Sequence, residues 1–415
     1  MRKARQKRLN KEEPEGILPE KNAVSLEKDR RQTWQEAERL LCVRLDAIGD
    51  LLMTTPAIRA LKVCRPERQI TLLTSSVGAK AAAYIPEVDE VIAYDPPWMK
   101  ATEPRETPDL EFEMIERLRQ GGYDAVVIFT VFSQSPFPVA LLTYLADIPL
   151  RLGYARENPY QMLTDWLPDP WPEDIAAIPH EVRRLLNLVE SIGCTLEDER
   201  MRLHVPVPAQ TALTQWIAEK GLDLDLPWLV IHPGASAPSR RYSARSFVRV
   251  AEQLNLQYGF QIVFTGGPEE VDLVERIRQE MSAPSFSAAG EFDLGRLFAL
   301  LQRAPLLISN NTGPVHMAAA LGTPVVDIYA LTNPQHTPWG VPHRVLNHEV
   351  ECKYCFKSVC PMKHHNCLRL LTPEVVVQAT VDLWRETGRG QELATVDQTV
   401  QDGPPNLNQD PEGFS

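Results

Sequence analysis

The chain has 415 residues, 44% of them hydrophobic and 24% charged, and a net charge of −12. That length and balance fit a globular protein with two full cores, and the acidic surplus argues against general nucleic-acid binding. The longest apolar runs, such as DAVVIFTVF over 124–132, are too short to span a bilayer.

Residues 1–32 read as a polar, charged tail. It has no apolar core, which predicts no secretory signal and hence cytoplasmic residence. The five basic residues between Arg2 and Arg8 suit peripheral contact with anionic lipid at the inner face of the cytoplasmic membrane; a merely solvated tail is the plainer reading. The first predicted domain, 33–205, has strands over 40–45, 69–74, 90–94 and 123–129. Helices lie between them, including 108–120, closed by Gly121-Gly122, and 179–192. A linker over 206–226 follows, and the alternation restarts in a second domain over 227–350. There a strand in 227–234 precedes helix 243–258, strand 261–267, helices 268–281 and 293–303, strand 306–310, helix 313–321 and strand 323–330. Residues 351–387 hold a cysteine cluster and a terminal helix, and 388–415 form a second tail. Strands alternating with helices predict parallel sheets covered on both faces. Two such series predict an α/β protein of two doubly wound domains facing across a cleft.

In LLCVRLDAIGDLLMTTPAIRALK an apolar run gives way to a carboxylate, Asp50, beside Gly49. Doubly wound sheets gather ligands at the carboxyl ends of their strands, which is where Asp50 falls. Thr55 reads as a helix N-cap and Pro56 as the first helical turn. The unit lacks G-x-G-x-x-G and does not read as a dinucleotide dehydrogenase. Asp50 can serve as a general base at the cleft mouth, or simply face the helix macrodipole. Further on, IHPGASAPSRRYSARSF sets small hydroxyls and the adjacent Arg240 and Arg241 after a strand, and ISNNTGPVHMAAALGTPVV starts a helix at Gly313-Pro314. Each suits a phosphate, through guanidinium charge or orphan N–H groups, and each also occurs as a plain turn. Two of them across from a carboxylate favour a nucleotide-diphosphate site. The D-x-D at Asp223 and Asp225 lies in the linker and reads as a solvated turn.

The motifs RLDAIGDLLMTTPAIRALK, HPGASAPSRRYSARSF, GGPEE, SNNTGPVHMAAALGTPVV and CKYCFKSVCPMKHHNC spread over about 40–385. Through them the chain resembles glycosyltransferase family 9, whose best-known members are the ADP-heptose:lipopolysaccharide heptosyltransferases. The resemblance implies a GT-B fold of two Rossmann-like domains, with the terminal helix, 373–386, returning to the first domain. It implies an inverting, metal-independent transfer of a sugar, heptose among the candidates, from a nucleotide-diphosphate donor such as ADP-heptose. The acceptor implied is a lipopolysaccharide-type or other cell-envelope glycolipid or polysaccharide, and catalysis requires no cofactor.

By the same resemblance Asp50 is the base, with Gly49 beside it at the donor site. Arg240, with Arg241 adjacent, contacts the donor phosphate, and Thr312 and Gly313 cradle the diphosphate. Gly266 and Glu269, with Gly267, border the donor's base and ribose. His316 either bonds near the donor or packs its helix, and His180 fits as a structural helix start. The family usually carries Asp where this chain has Asn311, a position that helps hold the sugar; the uncharged amide bears on the sugar's identity more than on the reaction class. The rival readings are a non-catalytic nucleotide-sugar-binding protein and a nucleotide-sugar epimerase of the same fold.

Seven cysteines occur, four of them clustered as Cys352, Cys355, Cys360 and Cys367. Cys352-x-x-Cys355 is a chelate spacing suited to a structural, non-catalytic zinc, with His364 or His365 as a substitute ligand. Unligated thiols are the alternative. Cys42, Cys64 and Cys194 read as isolated buried positions.

Overall fold

A computed structural model describes residues 28–100, 102–387 and 393. The tails expected over 1–27 and 388–415, Leu393 apart, lie outside the described residues. Residues 28–32, expected within the first tail, instead open helix α1 (Lys28–Glu36), pinned by Arg30 Nε to Asp165 Oδ1 at 2.7 Å. In chain order there follow β1 (Arg39–Arg44), α2 (Ile48–Cys64), β2 (Gln69–Thr74), α3 (Ser76–Ala82), β3 (Glu90–Ala93), α4 (Asp109–Gln120) and β4 (Ala125–Ile128). The first domain closes with α5 (Phe137–Leu145), β5 (Leu150–Ala155), β6 (Asp165–Pro168) and α6 (Glu181–Glu190). Its six strands are all parallel, in the order β3-β2-β1-β4-β5-β6.

The second domain runs α7 (Val207–Lys220), β7 (Trp228–His232), α8 (Ala244–Tyr258), β8 (Gln261–Phe264), α9 (Val271–Glu280), β9 (Phe286–Ser287) and α10 (Leu294–Arg303). It continues with β10 (Leu307–Asn310), α11 (Gly313–Ala320), β11 (Val325–Ile328), β12 (His343–Leu346), α12 (Asn366–Arg369) and α13 (Pro373–Thr387). Its strand order is β12-β11-β10-β7-β8-β9, again parallel. The central strands are Val/Ile/Leu runs buried along their whole length, as parallel strands covered on both faces must be. The two doubly wound domains are those the alternation predicts.

Three expectations are corrected. Helix α2 starts at Ile48, so Thr55 is no N-cap and Pro56 lies inside the helix. Proline takes away the N–H that would bond the Leu52 carbonyl, and the Thr55 hydroxyl donates to that carbonyl instead, at 2.8 Å. The stretch 206–226 is mostly helix rather than linker: α7 packs on α10 and so belongs to the second domain. Helix α13 does not return to the first domain; it packs on α8, β11 and β12, with Trp384 against Phe260 at 4.7 Å between ring centroids.

The domains share a core. One apolar cluster runs from Leu40, Leu51 and Ile58 through α6 to Phe298, Val315 and Ala319. Helix α2 is buried nearly all round because it lies between α6 of its own domain and α11 of the other. The Tyr84 ring meets Phe298 edge-on at 4.9 Å, another contact across the same boundary.

Candidate active site

Strand β1 ends in Arg44, a fully buried guanidinium. It reaches Asp46 Oδ2 at 3.0 Å, Glu181 Oε1 at 3.1 Å and Asp50 Oδ1 at 3.4 Å. One cation among three carboxylates leaves an acidic surplus. Asp50 sits in the first turn of α2, and burial pushes its pKa up to about 7. The neighbouring Asp46 and Glu181 charges push the same way, against Arg44 and Arg240. A carboxylate held near neutrality is matched to accepting a proton. Beside it opens a cavity of about 680 Å³, walled by the ends of β1, β2 and β4 through Asp46, Ser75, Thr130 and Gln134.

The second domain meets Asp50 from the opposite side. A Cβ built on Gly49 would stand 2.6 Å from His316 Cδ2, so only glycine lets the start of α2 approach the start of α11 this closely. That contact brings Gly49, Asp50, Thr312, Gly313 and His316 together. Thr312 and Gly313 form the start of α11, whose first N–H groups have no partner within the helix. His316 is buried and neutral: burial, then His180 and Arg240, push its pKa down to about 3, and its Nδ1 has no partner among the described residues.

The two arginines part company. Arg240 closes a 3-10 turn (Pro238–Arg240), donates from Nη1 to Asn311 O at 3.4 Å and lies over the Tyr329 ring, 5.6 Å from its centroid. Its charge is felt at Asp50, His316 and Asp327. Arg241 turns back, with Nε to Ala235 O at 2.8 Å, and stays exposed. Arg240 is therefore the cation of the cleft, and Arg241 braces its own loop.

Asn311 is fully buried, and both of its amide N–H groups are used, to Asp327 Oδ2 at 2.9 Å and His336 O at 2.8 Å. Its Oδ1 is left without a partner among the described residues. Asp327, in the middle of β11, is pushed up to about 8 by burial, against Asn311 and Arg240.

Gly266 and Gly267 turn the chain after β8, and Glu269 is exposed there. Its neighbour Glu270 is the engaged carboxylate, accepting from Gly267 N at 2.9 Å and standing 3.6 Å from His232 Nε2. A Cβ at Gly234 would overlap that carboxylate.

His180 is a helix start, accepting from Val182 N at 3.2 Å and stacked on Trp339 of the second domain at 4.5 Å. Asp223 accepts from Asp225 N at 2.8 Å in an exposed local turn, apart from the cleft. Cys352, Cys355, Cys360 and Cys367 line one small cavity of about 20 Å³ with His364 and His365. Among the described residues no three His, Cys, Asp or Glu side chains are arranged to hold a metal ion, so the expected zinc ligands do not fit one as they stand.

Sequence reasoning missed Arg44, Glu181, Glu270, Asp327 and His336. Arg44 and Asp327 did carry a signal, since each is a charge inside an otherwise apolar parallel strand. His336 carried none because it meets the site only across the domain boundary, and Glu181 none because it reaches Arg44 from α6, far along the chain in the same domain.

Residues 112–366 match the profile of glycosyltransferase family 9 (heptosyltransferase). The chain is 24% identical over 370 residues to lipopolysaccharide heptosyltransferase 2 of Salmonella typhimurium, covering 84% of this chain and 99% of that protein. The crystal structure of the glycosyl transferase family 9 from Veillonella parvula superposes with a TM-score of 0.68 at 23% identity, over 84% of this chain and 97% of that one. Escherichia coli ADP-heptose lps heptosyltransferase II superposes with a TM-score of 0.65 at 22% identity, over 84% and 99%. Both superpositions show the same two-domain GT-B fold.

Proposed function

The chain belongs to glycosyltransferase family 9 and is a glycosyltransferase, and from that premise we propose that it transfers a heptose from an ADP-heptose-type donor to a lipopolysaccharide-type acceptor, with inversion and without a catalytic metal. The observation that carries this reading is Asp50: a half-buried carboxylate whose pKa is pushed up to about 7, between a cavity in one domain and a helix start in the other.

The acceptor hydroxyl enters from the cavity and loses its proton to Asp50 as its oxygen attacks the anomeric carbon. The nucleoside diphosphate departs on the opposite face, towards Arg240 and the N–H groups at Thr312 and Gly313, which is what inversion requires. A guanidinium and a helix start can take up that leaving charge in place of a metal. No helix among the described residues is long and apolar enough to cross a membrane. A glycolipid acceptor would present its sugars at the inner face of the cytoplasmic membrane, and that is where this reading places the transfer.

The test is turnover with ADP-, GDP- and UDP-linked heptose and hexoses on a core-type lipopolysaccharide acceptor. Product with the anomeric configuration inverted, made from ADP-heptose in the presence of chelator, is expected. Donor consumed without transfer would point to an epimerase, and donor bound without turnover to a binding protein.

A further inference from the structure

The loop after β11 carries His336 across the cleft until its Nε2 stands 3.9 Å from Asp50 Oδ1. Two contacts fix how that ring faces. Asn333 Oδ1 accepts from Gln335 N at 3.0 Å, which orients the Asn333 amide and leaves its Nδ2 3.4 Å from His336 Nε2. An N–H aimed at Nε2 makes that nitrogen an acceptor and places the ring proton on Nδ1. The His336 carbonyl accepts from Asn311 Nδ2 at 2.8 Å, so the loop is tied to the end of β10 as well. The titratable and charged groups around the ring are Asp50 on α2, Arg44 on β1, Arg240 in the donor loop, His316 on α11 and His180 ahead of α6. Burial, then the neighbouring imidazoles and guanidinium groups, holds its pKa well below the usual histidine value, so the ring is neutral.

We propose that His336 is a positioning residue for the base, its Nε2 accepting the hydrogen bond of the carboxyl proton that Asp50 takes from the acceptor hydroxyl. This rests on Asp50 being that base. As the acceptor oxygen attacks the anomeric carbon, its O–H bond breaks and the proton joins Asp50 Oδ1. The new carboxyl O–H then donates to Nε2, displacing the Asn333 N–H from that nitrogen's one lone pair; the ring gains no proton, and the nucleoside diphosphate leaves with the electrons of the bond it had to the sugar. Before proton transfer the Asn333 N–H holds the Nε2 lone pair and no bond joins the ring to the carboxylate. The contact therefore strengthens along the reaction, the kind of interaction that raises kcat rather than lowering KM. Because Nε2 arrives on the second domain, the base has this partner only through the contact between the two domains.

The experiment compares His336→Ala and His336→Gln with the parent in kcat, KM for the donor, and the pH profile of kcat/KM. His336→Ala should lower kcat about ten-fold, the order expected for part of a general-base contribution, with donor KM changed less than about two-fold. Its rising pH limb should move to lower pH, since Asp50 loses the acceptor for its proton and gains water around its charge. His336→Gln, whose Oε1 can accept the same hydrogen bond, should recover most of both. A limb that stays put in His336→Ala while kcat falls makes the residue merely structural. A limb moving to higher pH makes the ring a donor to the carboxylate. Either result overturns the proposal. Asp50→Asn runs alongside: full turnover in that variant fails the base assignment itself, whatever His336 does.

Discussion

Asp50 shows how a site and a stability cost can be the same thing. An aspartate in an unfolded chain titrates near ~3.9, whereas burial holds this one at about 7. The folded-state value is raised, so the stability tied to its protonated form is complete below about 4 and lost as pH rises through about 7. Two outcomes follow for Asp50→Asn. Transfer should fall by about 100-fold or more while donor affinity, measured by calorimetry, stays within about two-fold. Its Tm relative to the parent should also rise between about pH 4 and pH 7, because asparagine has no proton to lose; a flat difference would mean that Asp50 is ordinarily solvated. Arg240→Ala should weaken nucleoside diphosphate binding about ten-fold or more, through loss of a charge-assisted contact. Arg241→Ala, which removes a brace to the Ala235 and Ser236 carbonyls, should change that affinity little. Equal losses in the two variants would show that both guanidinium groups face the donor.

Helix α2 places the base, and its continuity depends on a hydroxyl. Pro56 would leave the Leu52 carbonyl unpaired in a helix that is buried on almost every side, and Thr55 Oγ1 fills the gap. Thr55→Val keeps the shape but strands the carbonyl, which should cost about 1–3 kcal/mol of unfolding free energy by denaturant titration. A change below about 0.5 kcal/mol would mean that the helix kinks to find another donor at no cost. The cysteine-bearing stretch acts on the other wall of the cleft. Ser239 N donates to Ser358 O at 3.0 Å and Ser239 Oγ to Lys357 O at 2.7 Å, so this stretch braces the turn that carries Arg240.

Across the whole molecule, the loop 332–340 of the second domain clasps the start of α6 in the first. Gln335 O accepts from Glu181 N at 3.2 Å, His180 Nε2 lies 2.9 Å from Thr337 O, and Trp339 Nε1 donates to Glu199 O at 2.8 Å. The same loop delivers His336 to Asp50, so holding the domains together and completing the site are one structural event. Trp339→Ala removes the stack on His180 and should destabilise the protein by about 2–4 kcal/mol. It should also lower turnover while leaving nucleoside diphosphate affinity, which belongs to the second domain, nearly unchanged. Unaltered turnover would show that the clasp does not govern the cleft.

The sequence by itself determined the two doubly wound domains, because strands buried on both faces are written as near-continuous runs such as WLVIH and AVVI, and helices as 3.6-period stripes between them. It also marked Asp50, the Arg240-Arg241 loop and the helix start at Gly313, since ligand loops in such sheets fall at the carboxyl ends of strands, while Asn311 and Thr312 were singled out only through the resemblance to glycosyltransferase family 9. It did not reveal α7, whose opening prolines looked like linker although proline fits the first turn of a helix, nor β5 and β6, where Arg151 and Asp165 interrupt the apolar pattern. Tertiary structure alone decided that Arg241 turns away from the cleft, which glutamate is engaged after β8, and that Arg44, Glu181 and His336 surround the base. Those facts depend on distances between residues up to 286 positions apart, from Asp50 to His336, and on burial that gives a carboxylate its pKa. Neither quantity is local to any stretch of chain.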